Sequence, residues 1–331
     1  MTRRTALASL AVAGFLAASA YARPAQAPAG PAPPSATITL PVAVTSLAAI
    51  NMSSLVAAGM TDGRVAIWNG RDAAPMALLK PHDARVLAVG STADGRDLWS
   101  VATDGTLART RIAVGALPSS KRVDLGAAPT RAAAFSADGS LLVTGGEFGE
   151  IRVFDTASSA LKQQFRGHRT ELQDLAVRPG TTLVASVSAE ADLRVWDASS
   201  GREMRLVDGD LSIFAVAFSP RDGTLASGGV DRRLTLRDSK TFDPSGELAL
   251  RAPRMVSALA WSGDGRLVAV GDIDDETLSK GGIQLIDAES RASVASLDTG
   301  GVPAARIAFM SGGPVVAIVD RDLRAWTVAA R

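Results

Sequence analysis

The sequence predicts an all-β chain folded as a seven-bladed β-propeller, a ring of four-stranded blades, and three periodicities in register predict it. First, the alternating stretch DLRVWD at 192–197 has relatives in GRVAIWN (63–69), GEIRVFD (149–155) and DLRAWT (322–327), with weaker copies in TLARTR (106–111), RLTLRD (233–238) and IQLID (283–287). The place of Trp196 then falls at 68, 110, 154, 196, 237, 286 and 326, at intervals of 42, 44, 42, 41, 49 and 40. A period of about 40 to 45 residues accommodates four short strands and their turns, a unit that cannot bury its apolar faces alone. Second, turn signals end at Gly95, Gly139, Gly180, Gly223, Gly265 and Gly313, each between two apolar runs. Asp-Gly and Gly-Gly suit tight hairpins because these residues accept positive φ. Third, six residues before the Trp position stand Asp62, Asp104, Glu190, Asp231 and Asp320, acidic in five of seven repeats.

In chain order the blades are expected at 42–79, 85–125, 131–165, 172–207, 213–250, 256–297 and 304–328. The first carries Trp68 and the second is preceded by His82, with Thr110 at the Trp position. Phe154 marks the third, and RGHR followed by Trp196-Asp197 marks the fourth. The fifth and sixth carry the weaker strands, and the sixth also holds DIDDETLSKG at 272–281, which accounts for the interval of 49. The seventh runs out of chain after its third strand. ATITL at 36–40 alternates β-branched residues ahead of the first blade, so it is expected to supply the missing outer strand and close the ring.

With Trp196-Asp197 and Gly167-His168 in place, residues 37–331 resemble the WD40 repeat family. The resemblance implies that a blade ties a histidine, a serine or threonine of the second strand, an acidic turn residue and the tryptophan into one hydrogen-bonded set. In blade four that set is His168, Ser188 (with Ser186 as the alternative), Glu190 and Trp196. In blade two His82 is expected to pair with Asp104. The other blades depart further and must rest mainly on apolar packing.

The N-terminus has a different character. MTRR, an apolar run TALASLAVAGFLAASA, and small-x-small sites at 20–22 and 25–27 resemble a secretory signal peptide. Residues 1–27 are therefore expected to be removed, 28–35 to be a Pro/Ala-rich linker, and 36–331 to be the propeller. This puts the protein in the periplasm or outside the cell, by the general secretory route rather than the twin-arginine route, because Ala6 stands where the latter prefers a large apolar residue. Cleavage removes Arg3, Arg4 and Arg23, so the net charge goes from +1 to 1 − 3 = −2. Neither value gives the basic field expected of a nucleic-acid or anionic-membrane binder. No membrane span is expected after cleavage, and the protein should be monomeric. The chain has no cysteine and 2 histidines, so disulfides and thiolate chemistry are excluded and little is left for a triad or a histidine-rich metal site. No cofactor and no metal are expected.

The expected activity is that of a non-catalytic scaffold that binds a protein or peptide through one face. That top face is formed by the loops joining outer to inner strands and second to third strands. Its candidate contacts are Phe148, at a turn where most blades have an acid; Phe214 and Arg131, at the heads of inner strands; and the acidic residues Asp272, Asp274, Asp275 and Glu276. A calcium reading of that acidic run lacks both EF-hand spacing and an internal glycine. Propeller hydrolases, lactonases and quinoprotein dehydrogenases form one alternative, and TolB-like envelope propellers, whose turns resemble WSGDG at 261–265, form another. No nucleophile elbow, P-loop or dinucleotide fingerprint is present to support an enzyme.

Overall fold

The computed structural model describes residues 31–71, 74–112, 118–126, 130–207, 213–248, 250, 254–274, 276–311 and 313–327. These form seven antiparallel four-stranded sheets, with no helix among the described residues and hence none long and apolar enough to cross a membrane. Blades one to six span Val44–Leu79, Val86–Asp124, Thr130–Arg166, Leu172–Val207, Ile213–Leu248 and Met255–Leu297. Each runs in sequence order from inner to outer strand.

Burial explains why the strands read so differently. The second strands are covered on both faces, as in Leu183–Ser188 and Val315–Val319, and their sequences are short runs of small and branched residues, apolar throughout in the latter and carrying two buried serines in the former. The outer strands meet water, and Ser119–Asp124 in blade two is exposed along its whole length. The apolar clusters lie between blades: Val44, Val56 and Trp68 of blade one pack with Met310, Val316 and Leu323 of blade seven. The predicted turn glycines take positive φ, from 66° at Gly95 to 106° at Gly313, so a Cβ at these positions is strained.

Every inner strand skips one residue near its start, after the first pair in six blades and after the second in blade six, leaving Thr45, Leu87, Arg131, Gln173, Phe214, Ser257 and Ala305 out of the ladder. Side chains around these bulges stitch neighbouring blades. Thr45 donates to the Val86 carbonyl, Asp174 accepts the Val216 amide at 3.0 Å, and Ser257 donates to the Ala304 carbonyl at 3.2 Å. At the opposite end of the strands, Asn51 Nδ2 donates to Thr92 O at 3.3 Å and to Ala137 O at 2.9 Å, tying the turns of three blades.

Blade seven consists of Ala304–Phe309, Val315–Val319 and Asp322–Trp326, completed by the antiparallel strand Ala36–Thr39. Ala36 faces Ala325 and Thr39 faces Asp322, where the Thr39 hydroxyl donates to the carboxylate at 2.7 Å. The ring is thus closed by the N-terminal strand, as the sequence requires. The leader expected at 1–27 and residues 28–30 of the linker lie outside the described residues. Residues 31–35 are engaged by the ring: Ala32 donates to Ser296 O at 2.8 Å and accepts from Asp298 N at 2.7 Å, on the edge of blade six. Ser35 then bonds Ala325 through its amide at 2.7 Å.

Removing residues up to Leu40 strips the outer strand from Asp322–Trp326. In hydrogen exchange, a chain starting at Pro41 is expected to lose amide protection across 315–326 while 183–197 in blade four keeps its protection.

Candidate functional site

The best-wired blade is the fourth. His168 is buried, with Nδ1 at 2.7 Å from Asp192 Oδ1 and Nε2 at 2.7 Å from Ser186 Oγ. The Trp196 indole N–H donates to the same Ser186 oxygen at 2.8 Å, and Ser188 donates to Asp192 at 2.6 Å. Gly167 precedes the histidine because the Trp196 ring lies there: a Cβ on Gly167 would stand 2.0 Å from it. This corrects the set expected from sequence. Ser186, not Ser188, joins histidine to tryptophan, and Asp192, not Glu190, is the acid. Glu190 sits 3.9 Å from Nδ1 and accepts the Arg169 amide at 2.7 Å. Glu190, in the turn, is half-buried beside the imidazole without bonding it, whereas Asp192, at the head of the third strand, is buried and bonds it directly.

Burial alone would raise the Asp192 pKa, but hydrogen bonds from His168, Ser188 and Arg194 outweigh it and hold the carboxyl well below its usual range. His168, Glu190 and Asp192 bring potential ligand atoms within 4.8 Å of one another. Both imidazole nitrogens already have partners, so the network is complete as a set of hydrogen bonds.

Blade two keeps the histidine by a different route. His82 meets Thr106 Oγ1 at 2.7 Å and Ser100 Oγ at 2.8 Å, and Thr106 donates onward to Asp104 at 2.7 Å. The expected His82–Asp104 pair is therefore relayed through a threonine, which occupies the position of Asp192. Burial pushes His82 down to about 4, against the attraction of Asp104. Blades one and seven have the tryptophan without the acceptor. Ala58 and Ala317 stand where blade four has Ser186, and the buried indole N–H groups of Trp68 and Trp326 have no hydrogen-bond partner.

On the top face, Phe148 is 65% exposed at the turn between Leu141–Gly146 and Glu150–Asp155. Arg131 lies in ion pairs with Glu147 at 2.9 Å and Glu171 at 3.7 Å. Phe214 is half-buried at the bulge of blade five. Asp272 is not an exposed contact: it is 5% exposed and takes Arg254 at 3.1 Å and Gln284 at 3.3 Å, because the strand Leu267–Ile273 carries it inward before the loop begins. Asp274 folds the insertion, accepting the amides of Glu276 at 3.1 Å and Thr277 at 2.8 Å. Glu276 is exposed, and Asp275 lies outside the described residues. Sequence reasoning passed over Leu278, which this closed loop presents to solvent at φ +53°. The signal was there: it is the one large apolar residue after Ile273 in a polar insertion.

The fold defines a β-propeller, and comparison with known proteins bears on the type of its repeat. The family described as "WD domain, G-beta repeat" matches residues 159–197 and 202–238. Among curated proteins, the chain is similar to WD repeat-containing protein SL1-17 of Schistosoma mansoni, 28% identical over 184 residues, or 55% of this chain and 58% of that one. It is also similar to WD repeat and SOCS box-containing protein 1 of Xenopus tropicalis, 31% identical over 111 residues, or 33% of this chain and 26% of that one. The matches thus span little more than half of the first relative and about a quarter of the second. They support the WD40 repeat as the building unit of this propeller.

Two outcomes follow. Ala58→Ser places an acceptor beside the Trp68 indole and is expected to stabilise the fold by about 1 kcal/mol in denaturant unfolding. His82 is held neutral in the fold while the unfolded chain takes up a proton below about pH 6.5, so its contribution is full above that pH and is lost as pH falls through about 4. Between pH 7 and 4 the wild type should lose about 3 kcal/mol more than His82→Gln, by urea unfolding at each pH.

Proposed function

We propose that this chain is an exported, non-catalytic WD40-type scaffold that binds a protein or peptide partner through the top face of its propeller, as a monomer in the periplasm or outside the cell. The observation that carries the reading is Phe148. A large aromatic side chain exposed at a tight turn forfeits its burial in the free protein and regains it only against a partner. Its surroundings suit that role, since the Arg131 ion pairs with Glu147 and Glu171 give it a polar rim. Phe214 at the head of its inner strand, Glu276, and Leu278 beside it extend the same face. The two histidines support the non-catalytic reading, because each is buried and committed to its own blade. The charged start and small-residue sites of 1–27 support export by the general secretory route.

The test is affinity capture from the producing cell's envelope with the wild type and with Phe148→Ala. Phe148 touches no core cluster, so the variant should keep the wild-type melting temperature. It should also lose one specific partner by a factor of about ten or more. Equal capture by both proteins would remove Phe148 from the interface. A released product in the presence of an envelope extract would replace the scaffold reading with an enzyme.

A further inference from the structure

In the seam between blades three and four, the outer strand of one blade lays Phe165 on Trp196 of the next, with ring centroids 5.0 Å apart. Phe165 pairs with Ile151, three residues before Phe154. Strand register gives blade seven Ile38 in the same place, paired with Leu323 three residues before Trp326, and Ile38 packs on the cluster that holds Trp68 of blade one. A branched aliphatic side chain fills less of a seam than a phenyl ring. Here the seam stays open as a groove of about 330 Å³ lined by Ile38, Leu40, Trp68, Pro75, Met76 and Leu78, and no described residue along it is polar. Its lip is apolar too, because Met76 and Leu78 on the outer strand of blade one are 43% and 52% exposed.

Blade six shows how an outer edge of this ring is covered. Ala32 lies beside Leu297 in a parallel bridge, its amide donating to Ser296 O at 2.8 Å and its carbonyl accepting from Asp298 N at 2.7 Å. Leu297 is the residue that register aligns with Ile38, since it pairs with Ile283, three residues before Ile286. The edge of Ala36–Thr39 has no such cover among the described residues, its one sheet neighbour being Asp322–Trp326. The Leu40 amide bonds Arg321 O. Inward and outward backbone groups alternate along an antiparallel strand, so those of Ile38 also turn inward while those of Thr37 and Thr39 turn out. Residues paired across strands share a face, so a residue set beside Ile38 sends its side chain over the groove.

We propose that the rim between blades seven and one docks an extended segment of a partner protein, which adds to the edge of Ala36–Thr39 as Ala32 adds to blade six and seats an aromatic side chain in the groove. The segment's amide donates to Thr37 O and its carbonyl accepts from Thr39 N, which fixes the register. The ring lies over Ile38 and Trp68 between Leu40 and Leu78, and gives this seam what Phe165 gives the seam of blade four. The surface shares no residue with the top-face contacts. It uses the strand that closes the ring, so occupancy stabilises closure: the partner binds a strand pairing that the unfolded chain lacks.

The probe is the peptide acetyl-Ser-Thr-Phe-Thr-Ser-amide titrated into the full chain, followed by calorimetry and by the amide resonances of Thr37 and Thr39. Its alanine and N-methyl-phenylalanine forms are the comparisons. The parent peptide is expected to protect the Thr39 amide from exchange. The alanine form should bind about ten-fold more weakly, and the N-methyl form, which cannot donate to Thr37 O, about five-fold more weakly. Ile38→Phe supplies the ring from the chain itself, so it should melt no lower than the wild type and bind the parent and alanine peptides alike. Leu78→Ser changes only the exposed lip; it should keep the wild-type melting temperature and weaken the parent peptide, which keeps the test open if the phenylalanine variant fails to fold. No binding, or equal binding of parent and alanine peptides by the wild type, would overturn the site. A preference for the parent peptide left unchanged by both variants would place the peptide elsewhere. Saturable binding of benzyl alcohol without a response to any peptide would replace the partner with a small aromatic molecule. A concentration-dependent dimer lost in Ile38→Phe would replace it with a second copy, and tighter binding of a peptide of residues 1–30 would replace it with the chain's own leader.

Discussion

A blade of this protein has two apolar faces and no way to cover either by itself. The buried residues accordingly fall into seam clusters rather than a central core, each drawing side chains from neighbouring sheets. Covering the last face requires the first, so the packing has no stable open form with the same sequence. This constraint sets the small residues facing the seams, the bulge in every inner strand, and the interblade bonds of Thr45, Asp174 and Ser257. It leaves most of each outer strand free to vary, although Leu248 and Leu297 of outer strands and Phe242 of a turn reach into seam clusters.

Within that frame the polar network is an optional fitting. Blade four has it whole, blade two replaces the acid with a threonine relay, and blades one and seven keep the tryptophan while dropping its acceptor. A net hydrogen bond contributes about 1 kcal/mol, whereas the burial of one large side chain contributes about 2 to 3. Loss of the network is therefore tolerable wherever the ring still fills its space. Trp68 and Trp326 remain 2% and 1% exposed without any partner for their N–H groups.

The ring was legible in the sequence because its causes are periodic: turn glycines forced to positive φ, mostly apolar second strands covered on both sides, and a bulky residue near the end of the third strand in every blade but the second, where Thr110 stands. Two errors at the site share one physical source. Glu190 and Asp192 are two residues apart, as are Asp272 and Asp274, and sequence spacing does not say which carboxylate a strand end turns inward. Asp192 and Asp272 stand on strands or at their heads and are buried, while Glu190 and Asp274 stand in the turns beyond. Leu278 was missed for the opposite reason, since its exposure depends on a loop whose shape is fixed by Asp274 through backbone amides.

The matched segments 159–197 and 202–238 each begin with the outer strand of one blade and continue through three strands of the next. The sequence unit and the structural unit are thus out of phase by one strand, and Ala36–Thr39 is the natural first strand of the first unit. Time enters through that offset. On a ribosome or a translocon, six blades can assemble as they emerge, but the seventh must wait until Asp322–Trp326 arrives to meet a strand made some 286 residues earlier. Until then Ala36–Thr39 has no partner and the faces of blades one and six on either side of the gap stand open to water. Completion of the protein is consequently a single late event, and the interval before it is when a chaperone or another extended chain has its opportunity to bind.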